Sequence, residues 1–314
     1  MKRYPGIGAL PLGGPRRVVA IGTFDGVHVG HRAVVRFARE LAAERGIASM
    51  VMTFEPHPLS VLKPEIAPAV LTIPARKAAL LDELGLDELL TVPFTRSFAR
   101  IRADRFAEML CAPPIGADCV VVGAGFRFGH GGAGTVDSLR AYGRTRALTV
   151  ETPATVASPD GKPVSSTRIR RLIAQGRVEE AAPLLGRNHE IEGVVVRGEA
   201  RGRTIGVPTA NLQFPPQLAV PAGGVYAGRG TVAGERFAAA VNIGTSPTFT
   251  HETPAPPRVE AHLLNFDGVD FYGGALELEF VARLRDEKRF ASVEELLQQV
   301  RSDIERTRQL ITIS

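Results

Sequence analysis

The sequence predicts an α/β domain followed by an all-β barrel closed by a terminal helix, and two observations carry this. Up to about residue 185, short and nearly continuous apolar runs alternate with segments of helical spacing, as in a parallel sheet covered on both faces. From Ile191 onward the period changes to strand-length runs separated by Gly, Pro and Asn, which suits an antiparallel barrel. The 314 residues suffice for two ordinary domains. The change of period divides them into 1–186 and 187–314.

The elements follow in order. Arg17 to Ile21 is a β-branched run ending at Gly22. After a glycine-rich turn, Val34, Phe37, Ala38 and Leu41 share a helical face until Gly46 stops it. Strands are then expected at Ser49–Phe54, Glu88–Val92, Asp118–Val122 and Ala147–Glu151. Helices are expected at about Pro74–Leu84, Ala103–Leu110 and Val136–Tyr142. One more helix starts near Ser165 and stops at Gly176, and a short one covers Val178–Leu185. In the second half, Ile191–Arg197, Val225–Val232, Phe237–Ile243, Val259–Leu264 and Ala275–Arg283 read as strands. Val293–Leu310 closes the chain as a helix, with Val293, Leu296, Leu297, Val300 and Ile304 on one face.

Composition removes several classes. No apolar run approaches the roughly 20 residues of a membrane span, and the basic start of the chain leads into no signal-peptide core. Cys111 and Cys119 are too few for a disulfide scaffold or a four-thiolate metal site. A cytoplasmic protein without a membrane partner is expected; weak self-association is left open. The net charge is +5, and 33 of the 38 basic residues are arginine, whose planar fork suits bidentate phosphate binding. Charge alone does not choose between small anions and nucleic acid.

The string Gly22-Thr23-Phe24-Asp25-Gly26-Val27-His28-Val29-Gly30-His31 joins the first strand to the first helix. Its glycines allow close backbone approach, and the helix start favours an anion. His28 and His31, three apart, can point at one phosphate and stabilise charge developing on it. The plainer alternative is that one caps the helix and the other packs. A second string, Ser165-Ser166-Thr167-Arg168-Ile169-Arg170, places three hydroxyls and two arginines at another helix start. One serine suffices as a cap; the rest make a phosphate grip. The two strings suit nucleotidyl transfer by positioning and electrostatics, without a protein nucleophile.

In the second half, Gly198, Gly202 and Arg203 lie in a glycine-rich, basic stretch that can cradle phosphates through backbone N–H groups. Pro208 stiffens the approach, and Thr209 and Asn211 offer neutral oxygens to a hard cation such as Mg²⁺. Alternation puts Glu260 and His262 on one strand face, opposite Val259, Ala261 and Leu263. Both either face solvent, or Glu260 points into the barrel at a bound hydroxyl and acts as a general base.

His28-Val29-Gly30-His31 together with the Ser165–Arg170 string resembles the nucleotidylyltransferase superfamily, with its Rossmann-like fold. The fuller string from Gly22, with Thr53-Phe54-Glu55-Pro56-His57-Pro58 and Phe126-Arg127-Phe128-Gly129, resembles the bacterial bifunctional riboflavin kinase/FAD synthetase family. The second half resembles its riboflavin kinase barrel. The carriers are Pro208-Thr209-Ala210-Asn211, Gly224-Val225-Tyr226-Ala227, the string from Asn242 to Phe249, Glu260-Ala261-His262 and the string from Arg285 to Phe290.

The resemblance implies phosphorylation of riboflavin by ATP to FMN, then adenylylation of FMN by ATP to FAD and pyrophosphate. His28 and His31 would hold ATP phosphates and steady the departing pyrophosphate. Ser165, Ser166, Thr167, Arg168 and Arg170 would form the second phosphate-binding segment. Gly22, Phe24 and Gly30 would lie in the nucleotide loop, and Phe54, Pro56 and His57 would border the flavin. Phe54 could equally be core, and one of Phe126 and Phe128 packs inward in any case. The barrel would have six strands, Thr209 and Asn211 would coordinate Mg²⁺ with ATP, and Glu260 would activate the riboflavin 5′-hydroxyl. The loop from Arg285 would lie over flavin or nucleotide. With the arginines in phosphate loops, no nucleic-acid partner is expected. Three positions depart from the family pattern: Gly125, where Asp or Asn is usual, Gly132 and Thr135. Gly125 leaves a kinase-only alternative open.

Overall fold

The structure, a computed structural model, describes residues 1–158, 160–198, 206–244, 257–266 and 271–312. The expectations at Gly202, Arg203 and 245–249 lie outside the described residues. Packing divides the chain into two compact units, Met1–Ser165 and Ser166–Ser314.

The first unit contains β1 (Lys2–Tyr4), β2 (Arg17–Ile21), α1 (Val29–Arg45), β3 (Ala48–Glu55), α2 (Pro58–Leu62), α3 (Pro74–Asp82) and β4 (Glu88–Pro93). After these come α4 (Ala103–Cys111), β5 (Ala117–Val121), the short pair β6 (Arg127–Phe128) and β7 (Gly134–Thr135), α5 (Val136–Arg144) and β8 (Thr149–Glu151). Six strands form a parallel sheet in the order β1-β4-β3-β2-β5-β8. Every residue of β2 is buried, as a central strand covered on both faces requires. Strand order reverses between β2 and β5, so their carboxyl ends open the crevice where such sheets bind ligands. Below the sheet, buried Arg17 donates to Glu88 and to the carbonyls of Pro114 and Ile115.

The second unit begins with α6 (Ser166–Ala174) and α7 (Val178–Leu185), continues through β9 (His189–Val196), β10 (Ala210–Gln213), β11 (Gly224–Val232), β12 (Glu235–Gly244), β13 (Arg258–Leu263) and β14 (Ala275–Arg285), and closes with α8 (Val293–Leu310). The six strands close antiparallel in the order β10-β13-β12-β11-β14-β9. Sequence periodicity found five of them; β10, four residues long, lies inside the stretch read as a phosphate loop. Val259, Ala261 and Leu263 turn inward and are buried, with Arg258, Glu260 and His262 on the other face. Asn211 pairs with Glu260, and Glu260 with Asn242. These three residues therefore form a row across β10, β13 and β12 on the outer face. Helices α6 and α7 group with the barrel in packing, whereas the change of period puts them in the first half.

Candidate active sites

In the first unit, the turn after β2 is built from left-handed residues. Phe24 (φ 48°), Gly26 (φ 85°) and Val27 (φ 39°) all adopt positive φ, which is costly for a β-branched residue and is found where a turn is held for a purpose. Asp25 is buried beneath it and accepts from the Leu71 and Thr72 backbone N–H groups at 2.9 and 3.1 Å. Thr72 Oγ1 in turn accepts from Gly26 N–H at 3.1 Å. Lys77 donates to the Thr23 carbonyl at 3.2 Å and pairs with Glu55.

Beyond this turn, His28 is the N-cap of α1. Its Nδ1 accepts from His31 N–H at 3.2 Å, so the neutral ring carries its proton on Nε2. The two imidazoles stack, centroids 3.5 Å apart, and Phe24 meets His31 edge-on at 5.3 Å. Capping and packing therefore coexist with a shared direction for the two rings. Gly30 has a steric reason: a Cβ there would lie 3.1 Å from His28 Cε1. The same point lies 4.0 Å from the Val164 carbonyl, which brings the residue before Ser165 beside this turn.

A cavity of about 900 Å³ opens at the carboxyl ends of β2 and β5. Gly22, Phe24, His31, Phe54, Phe126 and Phe128 line it, as does Gly125. Sequence reasoning missed Phe94, Phe98 and Phe106, which join Phe54 and Phe128 in a continuous ring-to-ring wall with spacings of 5.5 to 6.3 Å. They follow β4 and open α4, where a ligand crevice recruits residues; position after a strand end was the usable signal. Exposed Lys63, Arg96, Arg100 and Arg127 also line the cavity. An aromatic wall with a basic rim fits a planar, phosphate-bearing ligand. Pro56 and His57 do not line this cavity. His57 caps α2, its Nδ1 accepting from Leu59 N–H at 3.2 Å.

The three departures have physical accounts. A Cβ at Gly125 would meet nothing within 4 Å, so the glycine leaves room rather than filling a strained turn. Gly132 is left-handed at φ 65°, where glycine is favoured. Thr135 caps α5, accepting from Ser138 N–H while the Ser138 hydroxyl accepts from Thr135 N–H.

The segment Ser165–Arg170 straddles the two units. Ser166 opens α6, Thr167 is exposed, and Ile169 is buried.

In the barrel, the Glu260 side chain is 28% exposed and lies 3.8 Å from Arg258. It sits on the outer face, not in the barrel interior; a six-stranded barrel fills its inside with apolar side chains. Asn211, beside it in the row, packs against Gly198: a Cβ at 198 would overlap the Asn211 amide, 2.6 Å from Oδ1. Gly198 is thus glycine for the sake of Asn211. Thr209 precedes β10, and the exposed Pro208 presents its carbonyl to His262 Nδ1 at 2.8 Å. Among the described residues no group of three or more His, Cys, Asp or Glu could hold a metal. Thr209 and Asn211 nonetheless offer neutral hard oxygens of the kind that hold Mg²⁺ alongside phosphates and water. Arg285 is held by α8, its Nε and Nη2 donating to Asp303 at 3.0 and 2.8 Å.

Comparison with known proteins covers both sites. A family model described as FAD synthetase matches residues 14–168, and one described as riboflavin kinase matches 185–311. Proteins named bifunctional riboflavin kinase/FMN adenylyltransferase are similar along most of their length. That of Bacillus subtilis is 36% identical, covering 92% of this chain and 90% of its own. Those of Pseudomonas fluorescens and Escherichia coli K12 are 38% and 37% identical, covering 93% and 91% of this chain and 92% and 90% of their own. A crystal structure from Streptococcus pneumoniae, described as a macrolide-efflux protein, superposes with a TM-score of 0.85 at 31% identity, covering 98% of each chain.

Proposed function

This chain belongs to the bacterial bifunctional riboflavin kinase/FMN adenylyltransferase family, and from that premise we propose which residues carry each reaction. The enzyme phosphorylates riboflavin with ATP to give FMN, and adenylylates FMN with ATP to give FAD and pyrophosphate. The observation that carries this is that one chain holds both matched regions. Open space at Gly125 gives no ground for a kinase-only protein. An efflux role has no observation to carry it; among the described residues no helix is long and apolar enough to cross a membrane.

For adenylylation, His28 and His31 stabilise charge on the departing pyrophosphate, His28 through Nε2–H. The Gly22–Gly30 turn approaches the nucleotide. Ser165, Ser166, Thr167, Arg168 and Arg170 supply the second phosphate grip. Phe54, Phe126 and Phe128 pack on the flavin, and Pro56 and His57 border that side. No side chain acts as a nucleophile; the residues position two phosphates for in-line transfer.

For phosphorylation, Glu260 accepts the proton of the riboflavin 5′-hydroxyl. Thr209 and Asn211 would hold Mg²⁺, which, when bound with ATP, neutralises phosphate charge. Gly198, Gly202, Arg203 and Pro208 shape the phosphate loop, and Arg285 anchors the loop that follows β14. The chemistry divides at 186/187 even though packing divides earlier. A cytoplasmic protein without nucleic-acid or membrane partners, with at most weak self-association, completes the reading.

Incubating the protein with riboflavin, ATP and Mg²⁺ and separating the flavins tests it. FMN followed by FAD is expected; FMN with no FAD at any FMN concentration would reinstate the kinase-only alternative.

A further inference from the structure

We propose that His262 is a positioning residue for the barrel site, holding the Thr209–Asn211 segment in place through the Pro208 carbonyl. The inference rests on the reading of Thr209 and Asn211 as Mg²⁺–ATP ligands. Strand β10 is only four residues long, and its pairing with β13 ends at Ala210–Ala261. Beyond that pair, Thr209 and Pro208 have no ladder bonds to β13. The Nδ1 of His262 lies 2.8 Å from the Pro208 carbonyl. A carbonyl only accepts, so Nδ1 carries the proton.

His262 shares its strand face with Glu260, two residues away. One strand thus carries the base and the clamp that fixes the metal-ligand segment beside it. The bond crosses 54 residues of sequence, so it sets geometry that local structure on either side does not. A side-chain bond placed where a ladder stops extends the register of β10 by two residues. Loss of that bond leaves Thr209 chemically intact but free to wander from Asn211 and Glu260, which strand pairing keeps together.

Replacement by asparagine keeps an N–H donor at the same distance from Cβ as Nδ1. Glutamine moves the donor one bond further, and leucine removes it. In the full-length protein, H262L should raise the KM for Mg²⁺–ATP in riboflavin phosphorylation about tenfold, the size of one lost hydrogen bond. The KM for riboflavin and the FMN adenylylation rate should stay unchanged, and H262N should restore most of the loss.

Hydrogen exchange over residues 206–212, with and without Mg²⁺–ADP, gives a readout apart from activity. H262L should speed exchange there and weaken the protection that Mg²⁺–ADP confers, while H262N behaves as the parent. If H262L disrupts the barrel, the H262N and H262Q pair decides: equal behaviour overturns the proposal, and a selective loss in H262Q supports it. T209A and N211A are run alongside. If they retain full protection by Mg²⁺–ADP, the ligand assignment fails and the proposal with it. If they lose it while H262L keeps it, the assignment stands and the role of His262 is overturned.

Discussion

At the end of β2, one short turn delivers His28 and His31 from neighbouring positions in the chain, held by a helix cap and a stack 3.5 Å apart. In the barrel, Asn211, Glu260 and Asn242 come from three strands and meet only through pairing. The first arrangement is local: its side chains follow once the turn is formed. The second is a matter of register, and a slip of one residue would send Glu260 to the opposite face. The difference teaches where each site is vulnerable. A turn site depends on the few neighbouring residues that shape the turn, whereas a row site depends on the register of strands far apart in sequence.

The largest effects are expected at Glu260 and at the histidine pair. Glu260→Gln should lower FMN formation by about 10²–10⁴-fold and leave FMN adenylylation unchanged. The double replacement of His28 and His31 by Ala should do the reverse, lowering FAD formation by at least about 10²-fold. Steady-state assays with riboflavin and with FMN as separate substrates check both. Loss of both activities in either variant would mean that the sites are not separable.

The next effect is on folding. Helix α7 packs on β9 and β14 and buries Val178, Leu184 and Leu185. The backbone N–H of Arg283 donates to Glu179 at 2.7 Å, and its side chain bonds the carbonyls of Gln175 and Gly223. Each large aliphatic side chain buried there contributes roughly 1.5–3 kcal/mol, so a fragment of residues 187–314 loses a sizeable part of a domain's stability. It should unfold at least about 10 °C below a fragment of residues 166–314. Equal midpoints by circular dichroism would show that α6 and α7 do not support the barrel.

A smaller, sharper effect is expected at Gly198→Ala. The added methyl overlaps the Asn211 amide, so the KM for Mg²⁺–ATP should rise about tenfold while the riboflavin KM holds. An unchanged nucleotide KM would detach Asn211 from the metal.

The smallest concerns Tyr226, inside the barrel, whose phenol burial pushes up to about 12 from an ordinary 10.0. The folded state holds that proton more tightly than the unfolded chain does. The resulting stability is complete below pH 10 and is lost as pH rises from 10 towards 12. Phenolate absorbance should develop with two of the four tyrosines delayed, since burial and the neighbouring Glu88 also push Tyr4 up, and Tyr226→Phe should remove only its own share of the delayed part.

Much of this was legible in the sequence because the first unit writes its chemistry in strings. Arg17–Ile21 is a strand at the residues expected, and Gly46 ends α1 in the left-handed conformation that glycine supplies. The wall formed by Phe94, Phe98 and Phe106 was not legible, since aromatic residues in a loop and a helix start reveal a shared cavity only once the sheet order is known. In the barrel, alternation put Glu260 opposite Val259 and Ala261, but it could not say which face was inside. Strand β10 was hidden because four residues hold too little alternation to stand out from a glycine-rich loop. The partnership of Gly198 with Asn211 follows only from the fold, for a glycine shows that space is short without showing what fills it.

The two activities are expected to reside in two complete and separable sites on one chain. Mixing the Glu260→Gln protein with the His28/His31 double-alanine protein, and supplying riboflavin, ATP and Mg²⁺, tests this most directly. Neither variant alone should make FAD from riboflavin. The mixture should, because FMN made by the second is adenylylated by the first. A mixture that accumulates FMN but no FAD, while the Glu260→Gln protein still adenylylates added FMN poorly, would contradict the claim.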